Sequence, residues 1–406
     1  MQLIIHRGSH QIGGMATEIR TDSTRIIIDM GDELSLEDGF KSAPLDIPGV
    51  TDNNGTCDAI ILTHYHGDHT KQLNLARENI PIYAGALTKE IIQITENNHL
   101  ERLNVHGTEE ERKVVKNCID RIKTIKTFSQ EQPFTVGDIR ITPYTVDHSA
   151  IDAYMFLIEA DGKKVLYTGD FRTNGFRGKG LSKMLDKIIP HCDDLVIEGT
   201  ALSRESEKCR TEFELQQELK QYRKDNKYVF ILAATTNLER ILGAANSIPI
   251  GQYFICDDYQ NTLIETVAKH CSQYSASYKK PEVTIYDDNL LDELKKCGFV
   301  MMVRQNPWFK RIIKQFDRNH SIILYSMWDG YRTQKGSKIP AFLKSAGKWE
   351  HWHTSGHATI EDIKMVVEKL QPKVTIPMHT DAPEKLKELL PDKEVVILQD
   401  KEIYKV

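Results

Sequence analysis

One hexapeptide constrains this chain of 406 residues more than any other segment: His64-Tyr65-His66-Gly67-Asp68-His69. It follows residues 57–63, a largely apolar run of the kind expected for a strand buried on both faces. Three imidazoles and a carboxylate at the end of such a strand are costly to bury unless a positive charge gathers their lone pairs. In a loop, the first two histidines can point one way and the aspartate and last histidine the other, because the glycine permits a sharp bend. The hexapeptide therefore predicts two half-sites for metal ions, each completed by ligands from elsewhere in the chain.

Three further candidate ligands, His148, Asp170 and His379, each stand at the end of an apolar run that predicts a strand. Taken singly, each one is explained as an ordinary polar strand end. Together with the hexapeptide, they predict a shared site. Nitrogen and oxygen ligands of this kind suit Zn²⁺, and also Mn²⁺ or Fe²⁺.

Residues 1–200, 201–354 and 355–406 differ in their patterns of apolar residues. The first segment predicts mainly short strands, with a helical region at residues 88–126. The second predicts alternating helices and strands, which is typical of an α/β unit with a parallel sheet. In the third segment the predicted elements are a helix at 360–370, a strand at 374–378, a helix at 383–390 and a closing strand at 394–398.

The order of these motifs resembles the metallo-β-lactamase superfamily. The pattern H-x-H-x-D-H after a strand, then a lone histidine, then the T-G-D of residues 168–170, is typical of that superfamily. Later segments are similar to its β-CASP branch, and above all to ribonuclease J and related RNA-processing nucleases. These segments are residues 197–200, 230–237, 355–358 and 376–379.

The resemblance implies an α/β fold, in which residues 1–200 and 355–406 form an αβ/βα metallo-β-lactamase sandwich and residues 201–354 form an inserted β-CASP α/β domain. It also implies two divalent metal ions, with zinc expected and manganese as the alternative that the same ligands accept. The implied ligands are His64, His66 and His148 for one ion, Asp68, His69 and His379 for the other, and Asp170 as the bridge between them.

The catalytic residues that the resemblance implies are Asp68, Glu198 and His357. We expect His357 to stabilise or protonate the leaving 3′ oxygen, and Glu198 to hold its imidazole in position. The alternative for Glu198 is a purely structural hydrogen-bond network.

The resemblance also implies that two regions at helix starts line the substrate cleft and hold the phosphate of a nucleotide, and backbone N–H groups at such starts attract phosphate. We therefore expect a monophosphate pocket one nucleotide from the metals. The residues expected to form it are His353, Ser355, Gly356, Thr236 and Asn237. The alternative is that residues 235–237 only cap a helix.

These inferences predict a metal-dependent ribonuclease that hydrolyses phosphodiester bonds of single-stranded RNA. A phosphate pocket favours 5′-to-3′ exonuclease action, with endonuclease action as a second mode. The alternatives are a metallo-hydrolase of another substrate (DNA, a small phosphodiester or a thioester) and a non-catalytic RNA-binding protein. The motifs leave open the choice between RNA and DNA, the sequence specificity and the pathway served.

Charge and composition set further limits. The net charge of −5 argues against a surface coated for nucleic acid, although residues 201–354 hold 23 basic and 18 acidic residues. Seven scattered cysteines without a C-x-x-C, and an N-terminus without a secretory signal, predict a cytoplasmic protein with free thiols. The apolar runs are too short to span a membrane, and a homodimer is the assembly that the resemblance implies.

Two positions depart from the family pattern. Thr380 stands where a glycine is expected after His379, and residues 171–174 continue in an unusual way after Asp170. The second departure predicts an altered substrate path. We also expect no additional C-terminal domain after Val406.

Overall fold

Three β-sheets organise the computed structural model, which describes residues 1–34, 40–204 and 209–406. The first sheet has seven strands in the order β19-β1-β2-β3-β4-β5-β6. It is antiparallel from β19 to β3 and parallel from β3 to β6. The strands are β1 (Gln2–Arg7), β2 (Ala16–Arg20), β3 (Arg25–Ile28), β4 (Ala59–Ile61), β5 (Ile82–Gly85), β6 (Lys126–Phe128) and β19 (Ile403–Lys405).

The second sheet has six strands in the order β18-β11-β10-β9-β8-β7. Its strands are β7 (Phe134–Val136), β8 (Ile139–Val146), β9 (Ala153–Ala160), β10 (Lys163–Tyr167), β11 (Asp194–Glu198) and β18 (Val374–Met378). The inner faces of the first two sheets share one apolar core, in which Leu3 and Ile26 of the first sheet pack with Phe156 and Val196 of the second.

Helices cover both outer faces of this pair of sheets. Ile91 and Ile122 pack on the first sheet, whereas Leu185 and Val366 pack on the second. The αβ/βα sandwich predicted from the sequence is therefore confirmed. Its helices are α1 (Gly67–Thr70), α2 (Ala86–His106), α3 (Glu109–Lys123), α4 (Leu181–Lys187), α12 (Ile360–Leu370) and α13 (Glu384–Leu389).

The third sheet is parallel throughout and has the order β14-β13-β15-β12-β16-β17. Its strands are β12 (Tyr228–Ala233), β13 (Tyr253–Cys256), β14 (Thr284–Ile285), β15 (Phe299–Val303), β16 (Ser321–Ser326) and β17 (Lys348–His351). The helices of this unit are α5 (Glu212–Asp225), α6 (Leu238–Asn246), α7 (Asp258–Cys271), α8 (Leu291–Cys297), α9 (Pro307–Ile313), α10 (Asp329–Thr333) and α11 (Ile339–Leu343). The expected α/β unit with a parallel sheet is thus present between the two parts of the sandwich.

The helical region predicted at residues 88–126 is present as two helices, because the chain breaks at Gly107 and Thr108 opens the second helix with a capping box. One element prediction needs correction. The predicted strand at 394–398 is wrong, since Val395 forms only an isolated bridge with Thr375. The chain crosses here from the second sheet to the first, where the backbone N–H of Lys401 donates to the carbonyl of Ile5, so no ladder can extend.

Strand ends bring the predicted site together. Strands β8, β10, β11 and β18 of the second sheet run in the same direction. The residues that follow them therefore meet at one edge of the sandwich, where the end of β4 also arrives. Among the residues described, no helix combines the length and the apolar character needed to cross a membrane.

Candidate metal centre

The hexapeptide is shaped by a short helix. His66 is the residue before α1, and Gly67 is its first residue. The bend that the sequence attributes to glycine flexibility is therefore a helical turn, which separates His64 and His66 from Asp68 and His69. The two pairs of side chains therefore point in different directions, as the sequence predicts.

Two sets of three residues converge, and they are the sets that the resemblance implies. In the first set, His66 Nδ1 lies 3.1 Å from His148 Nε2, and His64 offers a third nitrogen nearby. In the second set, His379 Nε2 lies 3.3 Å from Asp68 Oδ2, with His69 beside both. The candidate ligand atoms of each set lie within 4.8 Å of one another.

Asp170 lies between the two sets. Its Oδ2 atom is 3.2 Å from His69 Nε2, 3.8 Å from His148 Nε2 and 3.9 Å from both His64 Nε2 and His379 Nε2. A carboxylate in this position can contact cations held by either set.

The donor atoms at the centre fit divalent metal. Among the described residues, both carboxylate oxygens of Asp170 and the Nε2 atoms of His64 and His69 are buried without a hydrogen-bond partner. Such groups are costly to bury unless a ligand satisfies them. Four ligands at the Zn–N distance of 2.0–2.1 Å lie about 3.3 Å apart in a tetrahedron, which is close to the 3.1 Å between His66 Nδ1 and His148 Nε2. The assignment of individual ligands stays a prediction.

Outer hydrogen bonds turn the Nε2 atoms inward. His69 Nδ1 donates to Asp29 Oδ2 at 2.8 Å, and His64 Nδ1 lies 3.0 Å from the hydroxyl of Thr63, which donates to the same carboxylate. His379 Nδ1 lies 2.8 Å from the hydroxyl of Thr200. These contacts fix the tautomer that leaves Nε2 free to bind metal.

Asp29, Thr63 and Thr200 were not singled out by the sequence patterns. Asp29 directly follows the apolar strand β3, so the rule that singled out the other strand-end residues would also have found it. It has a positive φ of 64°, and His379 has one of 53°. Non-glycine residues rarely adopt this conformation, which concentrates at functional sites.

Burial and charge separate the two sets electrostatically. Burial lowers the pKa of His64 and His148, and lowers that of His66 to about 4. Burial also acts to lower the pKa of His69, but the neighbouring carboxylates, Asp170 first among them, outweigh it and raise that pKa well above its usual value. The first set therefore presents neutral imidazoles, which is the ligating form, and the second set attracts positive charge.

His357 and Glu198 form a pair beside Asp170. His357 Nδ1 lies 3.2 Å from Glu198 Oε2 and 3.6 Å from Asp170 Oδ2. The other oxygen of Glu198 accepts from the backbone N–H of Phe171 at 2.8 Å and of Ala358 at 3.3 Å. Glu198 therefore fits both roles that the sequence left open, since it contacts the imidazole and also anchors the backbone.

His357 is partly exposed, as are the ligand candidates His66 and Asp68. The side chain of His357 is 21% exposed, whereas those of His64, His148 and His379 are fully buried. The exposed part of His357 can therefore contact a bound molecule while its Nδ1 atom stays on Glu198.

The residues of the expected phosphate pocket have individual roles in the structure. Asn237 caps α6 by accepting from the backbone N–H of Arg240, and the hydroxyl of Ser355 accepts from the backbone N–H of His357. Thr236, which precedes this cap, is half-buried. His353 has a buried Nδ1 atom without a hydrogen-bond partner among the described residues. Asn237 is thus a helix cap, as the alternative holds, and the pocket stays a prediction.

Gly356 is required by the close approach of its backbone to the site. Its carbonyl accepts from His148 Nδ1. A Cβ atom at this position would lie 2.6 Å from the hydroxyl oxygen of Ser149, so a larger residue would push the carbonyl away from His148.

The structure also accommodates Thr380, which stands where the family pattern has a glycine after His379. Thr380 is fully buried, and its hydroxyl accepts from the backbone N–H of Ala382 at 3.1 Å. A side chain in place of the expected glycine is therefore packed and hydrogen-bonded.

Comparison with known proteins agrees with this architecture. A β-lactamase superfamily domain matches residues 24–228, half of the chain, and a Zn-dependent metallo-hydrolase RNA specificity domain matches residues 347–396. The crystal structure of a protein of unknown function from Enterococcus faecalis V583 covers 99% of both chains, with a TM-score of 0.73 at 19% identity. That likeness shows a common fold.

Curated relatives match part of their own length. An RNase J-like protein of Methanocaldococcus jannaschii is 29% identical over 201 residues, which are 49% of this chain and 42% of that protein. Endoribonuclease ysh1 of Emericella nidulans is 26% identical over 175 residues, 40% of this chain and 19% of that protein. Transcription termination factor FttA of Thermococcus kodakarensis is 29% identical over 205 residues, 48% and 31% respectively. This chain thus spans less than half the length of these relatives.

The chain belongs to the metallo-β-lactamase superfamily. Within it, the parallel sheet between the two parts of the sandwich, the RNA specificity domain and the relatives identify the β-CASP branch, as the motifs predict. The donor set and the zinc-dependent family of the second matched domain together indicate that the protein uses divalent metal.

Proposed function

We propose that this protein is a metal-dependent ribonuclease that hydrolyses phosphodiester bonds of single-stranded RNA. The observation that carries the proposal is the set of buried atoms of His64, His69 and Asp170, at the centre of two three-residue sets, that have no hydrogen-bond partner among the described residues. The match to an RNA specificity domain and the names of the relatives favour RNA over other phosphodiesters.

Two bound divalent ions would acidify a water molecule and offset the negative charge of the phosphate. His64, His66 and His148 would hold one ion, Asp68, His69 and His379 the other, and Asp170 would bridge them. Zinc is the metal that we propose, because the nitrogen-rich donor set suits it and the second matched domain is zinc-dependent. Manganese remains the alternative to be tested.

His357 is proposed to move the proton at the leaving 3′ oxygen. With Nδ1 on Glu198 at 3.2 Å, its Nε2 atom can carry a proton toward a bound substrate. Glu198 orients the ring for this transfer. Asp68, named among the catalytic residues, acts in this proposal as a ligand.

The 5′-to-3′ exonuclease mode depends on the proposed monophosphate pocket of His353, Ser355, Gly356, Thr236 and Asn237. The Nδ1 atom of His353, which has no hydrogen-bond partner in the part of the chain that the structure describes, and the start of α6 after Asn237 support it. A pocket that grips a 5′ phosphate near the metals would place the first phosphodiester at the reacting position.

One RNA sequence labelled at either end tests the proposed activity and its direction. The protein is incubated with the 5′-labelled or the 3′-labelled RNA and with zinc or manganese. Mononucleotide released from the 5′ end indicates the exonuclease, and a fixed internal product indicates the endonuclease. His66→Ala is expected to lower the rate at least ~100-fold, because it removes a ligand of the ion that supplies nucleophile and charge stabilisation. Absence of cleavage with either metal would refute the proposal, and a labelled DNA of the same sequence tests selectivity.

The pocket is tested with RNA carrying a 5′ monophosphate or a 5′ hydroxyl. Ser355→Ala and Asn237→Ala should reduce the preference for the monophosphate. Because both side chains also hold the backbone, thermal melting of each variant must show a folded protein. An unchanged preference in folded variants would remove the pocket and leave the hydrolase.

The finer assignments belong to the same proposal. We propose 1–200 and 355–406 as the limits of the sandwich and 201–354 as those of the inserted β-CASP domain. We further propose a cytoplasmic location, where RNA turnover occurs, and a homodimer, which light scattering would measure.

A further inference from the structure

Arg172 contacts two chain segments that lie next to His148 in the structure, one containing Asp147 and the other containing Ser355. Its guanidinium is fully buried, and its Nε atom donates to Asp147 Oδ1 at 2.8 Å. Its backbone N–H donates to the carbonyl of the same aspartate at 2.7 Å. Its Nη1 atom donates to the carbonyl of Ser355 at 2.9 Å.

These contacts act on the imidazole of His148 from two directions. Asp147 directly precedes it in the chain, and Ser355 precedes Gly356, whose carbonyl accepts from His148 Nδ1. Asn174 donates a second hydrogen bond to the carbonyl of Ser355, at 3.2 Å. With Nδ1 held in this way, Nε2 of His148 faces the other nitrogens of the first set.

Carboxylates of the inserted α/β unit hold the rest of the guanidinium. Nη1 of Arg172 lies 3.1 Å from Glu212 Oε1 at the start of α5, and Nη2 donates to Glu239 of α6. Glu212 is in turn held by Arg240 through two hydrogen bonds of 2.6 and 2.9 Å. All of these side chains are at most 2% exposed, so Arg172 is shared between the sandwich and the inserted unit in a site that excludes water.

We propose that Arg172 is a positioning residue that holds His148 for metal binding and thereby couples the first half-site to the docking of the inserted unit. The inference rests on the proposed metal-dependent function. Lysine would keep the charge at this position, but its single nitrogen cannot serve Asp147, the Ser355 carbonyl and two glutamates together. Residues that orient a metal-binding histidine through a hydrogen bond typically contribute 10- to 100-fold to metal affinity.

The inference is tested by measuring zinc binding over buffered free-zinc concentrations. Mass spectrometry determines the metal content. We expect the wild-type chain to bind two ions. Arg172→Lys should weaken one ion at least ~10-fold and change the other less than ~3-fold. The weakened ion should be the one whose binding His66→Ala abolishes. The double variant with Arg172→Lys and His66→Ala should therefore bind its remaining ion with the same affinity as the His66→Ala variant. Arg140→Lys, on the strand β8 that precedes His148 but paired at the surface with Glu159, is the matched control and should bind both ions normally.

Wild-type affinity for both ions in folded Arg172→Lys would overturn the inference. Equal weakening of both ions would do the same, because it would indicate general destabilisation. Should Arg172→Lys fail to fold in thermal melting, Asn174→Ala takes its place, with an expected 3- to 10-fold weakening of the same ion; unaltered affinity would then count against the inference. A wild-type chain that binds fewer than two ions would refute the proposed function, an outcome that needs no variant to detect.

Discussion

Glu239→Gln is expected to change how the stability of this protein depends on pH. Glu239 is fully buried, accepts from the Tyr278 hydroxyl at 2.7 Å and also accepts from Arg172. Burial, followed by the charge of Asp147, raises its pKa to about 7, against the attraction of Arg172 and Arg177 and with a further contribution from Glu212. Its ordinary value is 4.5.

The sign follows from proton binding. Between pH 4.5 and about 7 the folded protein holds a proton that the unfolded chain releases. Stability contributed by this proton is therefore complete below pH 4.5 and is lost as the pH rises through about 7. The two pKa values correspond to about 3 kcal/mol as an upper limit. At the usual unfolding entropy per residue, this free energy shifts the melting temperature of a chain of this length by about 4 °C.

Glutamine removes the titration but can still accept from Arg172 and donate to Tyr278. Melting temperatures of wild type and Glu239→Gln are compared from pH 5 to pH 8 with saturating metal, so that the effect of pH on metal binding cancels in the difference. The variant should gain up to about 4 °C relative to wild type between these limits. Glu388→Gln, an exposed glutamate of α13, is the control and should give a constant difference. A constant difference for Glu239→Gln as well would refute the reasoning.

Three further predictions concern the site. Glu198→Gln is expected to lower kcat roughly 10- to 100-fold and to leave KM unchanged, because it weakens the orientation of His357 and contacts no substrate; steady-state kinetics on labelled RNA measure both, and a pure KM effect would contradict it. Asp29→Asn is expected to weaken one metal ion 10- to 100-fold, since its carboxylate fixes the tautomer of His69; a chelator competition assay that gave wild-type affinity would count against this role. Removal of metal with EDTA should abolish cleavage and lower the melting temperature, because ligands that bind only the folded state stabilise it; an unchanged melting temperature would exclude metal held by the buried set.

The sequence predicts the fold class and the convergence of the site because both depend on local patterns in a fixed order. Buried strands end in polar residues, and strands that run in the same direction bring those ends to one edge, so the pattern together with the hexapeptide groups His148, Asp170 and His379. The orienting residues Thr63 and Thr200 could not be found in this way. A threonine after a strand is ordinary, and only the three-dimensional arrangement shows that its hydroxyl meets an imidazole nitrogen.

The last part of the chain shows where a local sequence pattern predicts an element that does not form. Residues 394–398 have the composition of a strand, but hydrogen-bonding partners decide whether a strand forms. Among the described residues, Val395 pairs with Thr375 alone before the chain leaves for the first sheet. The competing contacts of the last residues with the first strand are long-range, and no local pattern contains them.

The departure of residues 171–174 from the family pattern has a physical explanation that involves both units. A buried guanidinium such as that of Arg172 is tolerated only if carboxylates and carbonyls satisfy it, and here Asp147, Glu212 and Glu239 do so. Removing one partner of such a set leaves an uncompensated buried charge, which typically costs about 3–5 kcal/mol. An exchange of all the partners together avoids that cost. We therefore expect that loss of the charge of Arg172, Asp147 or Glu212 alone is costly, and that the unusual residues after Asp170 reflect the particular way in which this chain joins its inserted unit to the metal centre.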